Sequence, residues 1–346
     1  MNTKNELKFQ WNWLSLYRDE LFGLSMLSIL FFHYTEDFVN AFHKDLVGAN
    51  SVLSFYRTEI GSIGVEIFLF LSGMGLYYAW NKMRGNYLDF YKKRFLRVLM
   101  VYLPVGILYW GWLDLIHEKN GWFSFFKNLS FFSFWTEGTK AVWFIALILI
   151  LYLVFPLVYA LFIDPEGRAE PILFGIILVL TVGSTQLLYV ESPEIYGHIE
   201  IALRRIPIFL LGVYSGEKIK KNSTWDFLTF SLFAIDVILL RVLMREQIFN
   251  SFWNRYVVAL SALFLMQLLC IVFHKLSFPR FHKCLKWIGG MSLELYLTHV
   301  TIRNVFNKCG YPTYMLKHYL LMIFISVVLS IVLHQIILMI QRKKMS

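Results

Sequence analysis

The sequence predicts an all-α, polytopic transmembrane helical bundle of about ten spans with both termini cytoplasmic. Composition is the first ground. Of 346 residues, 58% are hydrophobic and only 16% charged, against about 45–50% apolar and about 25% charged in an ordinary soluble domain. Mean hydropathy, the second, is +0.56. The third is that apolar runs of spanning length recur along the whole chain. Together these exclude a cytosolic enzyme, a secreted disulfide scaffold and a disordered tail.

In order, the runs are 14–35, 60–81, 97–116, 141–163, 171–190, 199–216, 225–243, 255–274, 286–306 and 319–341. Residues 1–13 are polar and aromatic, and no small-residue cleavage site follows the first run, so it reads as a retained span. The stretch 121–135, GWFSFFKNLSFFSFW, lies between spans three and four. It reads as an interfacial segment, with its rings at headgroup level. No loop is long enough for a second soluble domain, so the whole of 1–346 is expected to be one membrane-embedded domain.

The net charge is +10, from 33 Lys+Arg against 23 Asp+Glu. The basic residues sit between the apolar runs, which points to membrane topology and not to nucleic acid. With ten spans, the face that holds both ends carries 20 Lys+Arg and the opposite face 13. The richer face is therefore expected to be cytoplasmic. Cys270, Cys284 and Cys309 are odd in number and far apart or on different elements, so they read as structural. No metal is expected.

Ionisable groups inside spans are costly and so mark function. The uncharged part of the first span, Leu21–Thr35, has 15 residues. That is about 22 Å of helix, short of the roughly 30 Å hydrocarbon core. Either Arg18, Asp19 and Glu20 dip inward or the outer end meets a wet cavity. His33 then lies about 18 Å from the inner edge, Glu66 about 21 Å, His299 about 18 Å and Asp236 about 16 Å. Groups at one depth suggest a shared polar chamber, with Glu294 shallower. A His beside a carboxylate is a general-base arrangement, and a lone membrane His also serves as an interhelical hydrogen bond. Asp236 is expected to pair with Arg241 on its own span. Arg94 and Arg97, in Lys92-Lys93-Arg94-Phe95-Leu96-Arg97, share one helix face. Two guanidiniums there suit phosphate, and topology or contact with anionic lipid explains the cluster equally.

Six segments, in order, carry a resemblance: LFGLSMLSILFFHY (21–34), GVEIFLFLSGMGL (64–76), RFLR (94–97) followed by Tyr102-Leu103-Pro104, VWFIALILILYLVFPLV (142–158), RRIPIFLLGVYSG (204–216) and WIGGMSLELYLTHV (287–300). The chain resembles the acyltransferase-3 family of integral membrane acyltransferases. The resemblance implies transfer of an acyl group, usually acetyl, from cytoplasmic acyl-CoA to a hydroxyl of an extracytoplasmic or lipid-linked glycan, in a bacterial plasma membrane. It implies a catalytic role for His33 and a donor-side role for Arg94 and Arg97. Glu66 falls where the family often has an acid, and His299 matches a late family His of open role. The family's Arg eleven positions before the first His is Phe22 here. Arg18, one turn earlier and near the same face, is expected to substitute. Glu66, or Glu36 and Asp37 at the outer helix end, would orient His33, which would act as a base in direct transfer or carry the acyl group covalently for attack by the acceptor in a second step. Ser72, beside Gly73 and Gly75, is expected to permit close packing, not to act as a nucleophile. Two other functions remain: a transporter or flippase of a lipid-linked saccharide, suggested by ten spans with midplane charges, and a non-catalytic family member, suggested by Phe22. The lack of an internal repeat and the one-sided arginine pair weigh against the transporter.

Overall fold

In lipid, a helix satisfies every backbone N–H and C=O within its own segment, and all ten apolar runs become helical. The computed structural model describes residues 9–42, 49–83, 86–276 and 278–343. The expected charges Lys4, Lys8, Lys44, Arg84 and Lys344 lie outside the described residues. The principal helices are α1 (Arg18–Phe42), α2 (Ile63–Lys82), α3 (Tyr87–Trp110), α4 (Trp143–Phe162), α5 (Pro171–Glu191), α6 (Pro193–Leu203), α7 (Ile206–Lys220), α8 (Phe227–Arg245), α9 (Ser251–Lys275), α10 (Pro279–Gly290), α11 (Ser292–Lys308) and α12 (Leu316–Lys343).

Two expected spans are broken. The sixth divides into α6 and α7 at Arg204-Arg205, because Pro207 lacks the N–H that would continue the ladder and takes a first-turn position instead. The ninth divides at Met291, after the poor helix formers Gly289 and Gly290, into α10 and α11. The third helix starts at Tyr87, not 97. The Asn86 side chain accepts from Asp89 N at 3.0 Å and caps it, so the basic cluster lies on the helix and not in a loop.

By length and composition, seven helical segments among the described residues are apolar enough to cross a membrane: 52–82, 87–117, 143–162, 171–191, 227–245, 252–275 and 316–342. The expected spans that miss this standard are α1, α6–α7 and α11. Much of their surface faces protein instead of lipid, which lets them carry charge. Glycines set the central contacts. A Cβ on Gly73 would lie 2.2 Å from Phe209 O, and one on Gly212 2.1 Å from Phe70 O, so α2 and α7 meet backbone to backbone. Gly23 against Leu285 O and Gly289 against Asp19 O, both at 2.1 Å, do the same for α1 and α10. Gly212→Ala should force α2 from α7 and destabilise the bundle by about 1–3 kcal/mol. Labelling of the buried thiol of Cys270 during thermal unfolding in detergent measures this; an unchanged midpoint would refute the contact.

A two-stranded antiparallel ribbon joins β1 (Phe9–Gln10) to β2 (Thr224–Trp225), pairing Phe9 with Trp225 and Gln10 with Thr224. It places the start of the chain on the same face as the α7–α8 connection, as alternating crossings require. On the opposite face, helices Gly121–Leu129 and Phe132–Glu137 expose Trp122, Phe123 and Phe126 while burying Phe125. That is the amphipathic form of an interfacial segment. Of the three cysteines, read from the sequence as structural, Cys270 is buried, while Cys284 and Cys309 are exposed.

Candidate functional site

The face that carries the ribbon opens into a cavity of about 130 Å³ between α1, α2, α3, α4 and α11. Arg18, Arg94 and Arg97 all line it, with Asp19, Ser72 and Tyr152. Lys92 and Lys93 are exposed and lie outside its wall, so the helix face separates the arginines from the lysines of one cluster. Arg18 stacks its guanidinium over Phe22 at 4.9 Å. Gly75 leaves room for it, since a Cβ there would sit 4.0 Å from Arg18 Nη2. The nearest carboxylate is Asp19, 3.6 Å from Arg18 Nη1. Arg18 Nε and Arg94 Nε are buried with no hydrogen-bond partner among the described residues. Three cations against one anion, with unmet donors, give this cavity a surplus of positive charge that suits an anion. Gly73 meets α7, while Ser72 faces the cavity.

Away from the arginines the walls turn apolar: Phe68, Leu71, Phe144, Ile148, Tyr296, Val65 and Ile29. Ile29 is one turn below His33 on α1, and Tyr296 is one turn below His299 on α11. The charges at the inner end of the first span are taken up by neighbouring helices. Glu20 is buried, with His282 Nδ1 at 3.0 Å and Lys286 Nζ at 3.4 Å from its Oε1.

His33 and His299 face each other, ring centroids 5.3 Å apart. Around His33 stand Glu36, Asp37 and Arg303. His33 Nδ1 is 3.2 Å from Glu36 Oε2 and 2.9 Å from Arg303 Nη1. Arg303 Nη2 donates to Glu36 Oε2 at 2.8 Å, and its Nε donates to Asp37 Oδ2 at 2.8 Å. Arg303 Nη2 also contacts Asp37 Oδ1. Thr313 Oγ1 donates to Asp37 Oδ2 at 2.5 Å, fixing that carboxylate from the α11–α12 connection. Beyond the span, Lys308 donates to Glu118 and holds its carboxyl below the usual range. His299 is fully buried; its Nδ1 is 2.9 Å from Leu295 O, and its Nε2 has no partner among the described residues. Leaving such a group unpaired costs about 1–3 kcal/mol.

The single chamber expected from depth is instead divided. Glu66, also fully buried, is drawn to cations on other elements. Its Oε1 lies 3.1 Å from Arg205 Nε and 3.6 Å from Arg255 Nη1. Arg205 stacks over Trp143 at 4.8 Å and donates to Ile201 O at 2.6 Å. The carboxylate beside His33 is therefore Glu36, not Glu66. Asp236 is exposed on α8 and does not pair with Arg241. Arg241 bonds Glu59 at 2.8 Å and Ser261 at 2.8 Å, because α8 turns that side chain toward α9. Glu294 pairs with His334 Nδ1 at 2.8 Å.

Arg303, Arg205, Arg255 and Tyr152 were not foreseen. A signal existed for Arg303, which follows His299 by four residues and so shares its helix face. Arg205 and Arg255 had no comparable mark; they look like loop charges until the broken sixth span folds them inward.

A family model described as an acyltransferase domain matches residues 23–338. Comparison with curated proteins and with solved structures gives no match. Nearly the whole chain is covered by that one match, so this multi-pass bundle belongs to the acyltransferase-3 family of membrane acyltransferases.

Proposed function

We propose that the protein moves an acyl group, acetyl in the first instance, from cytoplasmic acyl-CoA to a hydroxyl of an extracytoplasmic or lipid-linked glycan at a bacterial plasma membrane. One observation carries this reading. The arginine-lined cavity on the basic face runs up α1 and α11 to within a turn of the paired imidazoles.

In this reading the CoA phosphates sit on Arg94, Arg97 and Arg18, whose guanidiniums donate to phosphate oxygens in pairs. Arg18 thereby fills the role left open by Phe22. The pantetheine arm, long and thin, follows the apolar walls past Phe68 and Phe144. The acceptor approaches from the opposite face, where Glu36 and Asp37 end the polar cluster. His33 takes the hydroxyl proton as the oxygen attacks the acyl carbon. Accepting that proton at Nε2 requires Nδ1–H donated to Glu36, so Arg303 Nη1, which also lies 2.9 Å from Nδ1 and can only donate, must give up that nitrogen in the reactive state. Arg303 fixes Glu36 and Asp37 by bonding both carboxylates, which holds Glu36 beside the ring.

The test is CoA release from acetyl-CoA by purified protein in nanodiscs. Mass spectrometry of surface glycans from cells with and without the gene then identifies the acceptor. Arg94→Ala with Arg97→Ala should weaken CoA binding by about tenfold or more, since charge-assisted bonds contribute about 1.5–3 kcal/mol each. Lys92→Ala with Lys93→Ala should leave it nearly unchanged. Equal titration curves for both double variants would return the arginines to a topological role.

A further inference from the structure

His299 is the buried reactive group that the scheme above leaves unused. Its Nδ1 lies 2.9 Å from Leu295 O. A carbonyl oxygen only accepts, so Nδ1 carries the proton and the Nε2 lone pair is free. That nitrogen is enclosed and meets no hydrogen-bond donor among the described residues. His33 differs on both counts: its side chain is 20% exposed, and Glu36 and Arg303 compete for its Nδ1. His299 sits one turn above Tyr296, which lines the inner cavity, and its ring centroid is 5.8 Å from that of Tyr296. The enclosed imidazole thus adjoins Tyr296 of the inner cavity wall, and the part-exposed one adjoins Glu36 and Asp37 at the outer end of α1.

We propose that His299 is the acyl carrier of a two-step relay, with His33 serving only the second step. The inference rests on the acyltransferase reading above. In the first step, Nε2 of His299 attacks the thioester carbonyl carbon. A C–N bond forms, the C–S bond breaks, and CoA leaves as its thiolate, which takes a proton from water in the inner cavity. The acylated ring keeps its Nδ1 proton on Leu295 O and is a cationic acylimidazolium, which is an activated acyl donor. In the second step the acceptor oxygen attacks the acyl carbon, its proton passes to His33, and the C–N bond breaks. His33 then releases the proton to the outer side. A free lone pair, a dry site and a neighbouring base are what each half requires.

The experiment supplies radiolabelled acetyl-CoA to purified protein in nanodiscs with no acceptor but water, followed by acid-free quenching and peptide mapping. His33→Ala is expected to release about one equivalent of CoA per protein in a burst and to retain the label on the His299 peptide. His299→Ala and His299→Gln are expected to hold no label and to lose steady-state CoA release about 100-fold or more. Both must show a wild-type elution profile and unfolding temperature, and the Gln variant guards against a cavity artefact. Label on His33, label persisting in the His299 variants, or steady wild-type CoA release with no labelled protein in any variant would overturn the relay while leaving the acyltransferase reading intact. No CoA release from the wild type, with or without cell-envelope extract, would overturn both.

Discussion

Replacing His33 by Ala should reduce multiple-turnover transfer from acetyl-CoA by about 10²–10⁴-fold, the range that a positioned general base contributes. The fold should survive. His33 is part-exposed, and its polar partners hold one another without it, since Arg303 keeps its bonds to Glu36 and Asp37. Turnover normalised to the monodisperse fraction in detergent is the measurement. Unchanged turnover in well-folded His33→Ala would remove the residue from the chemistry.

Glu66→Ala should act chiefly on stability, by about 3–5 kcal/mol, because it strands the buried Arg205 and Arg255 guanidiniums without their counter-charge. Glu66→Gln should lie between, keeping the shape and losing the charge. The contrast with His33 is the informative part. Glu66 variants should show a lower unfolding midpoint, followed by labelling of the buried Cys270 thiol, and near-normal turnover per folded molecule. A Glu66→Ala protein that keeps the wild-type midpoint and loses turnover would place this carboxylate in the chemistry after all.

The residues that could be read from the sequence share one property: their helix face and depth are fixed by local periodicity. Arg94 and Arg97 share a face in any helix, as do Arg18 and Phe22 one turn apart, and all four line the cavity. The uncharged stretch from Leu21 was too short to span, which marked the charges at its ends, and Glu20 is buried against α10. His33 and His299 at equal depth foretold that they could meet. Periodicity could not say which acid serves which base. Glu36 was one candidate among three, and Glu66 was drawn to Arg205 and Arg255 on other elements. Asp236 and Arg241 lie five residues apart, which puts them on different sides of α8, and neighbours across the bundle settled their separation.

The sequence by itself determined the all-α membrane architecture, the ten helical runs, the family likeness and the helix face that Arg94 and Arg97 share. These follow from composition, 3.6-residue periodicity and the need of lipid-embedded backbone to close its own hydrogen bonds. Only the tertiary structure decided the partners of the buried charges, the breaks at Arg205 and Met291, and the bare Nε2 of His299. Those depend on which helices approach closely, at Gly73, Gly212, Gly23 and Gly289, and a charge in a low-dielectric interior takes its counter-charge from whatever the packing brings near, not from its neighbours along the chain.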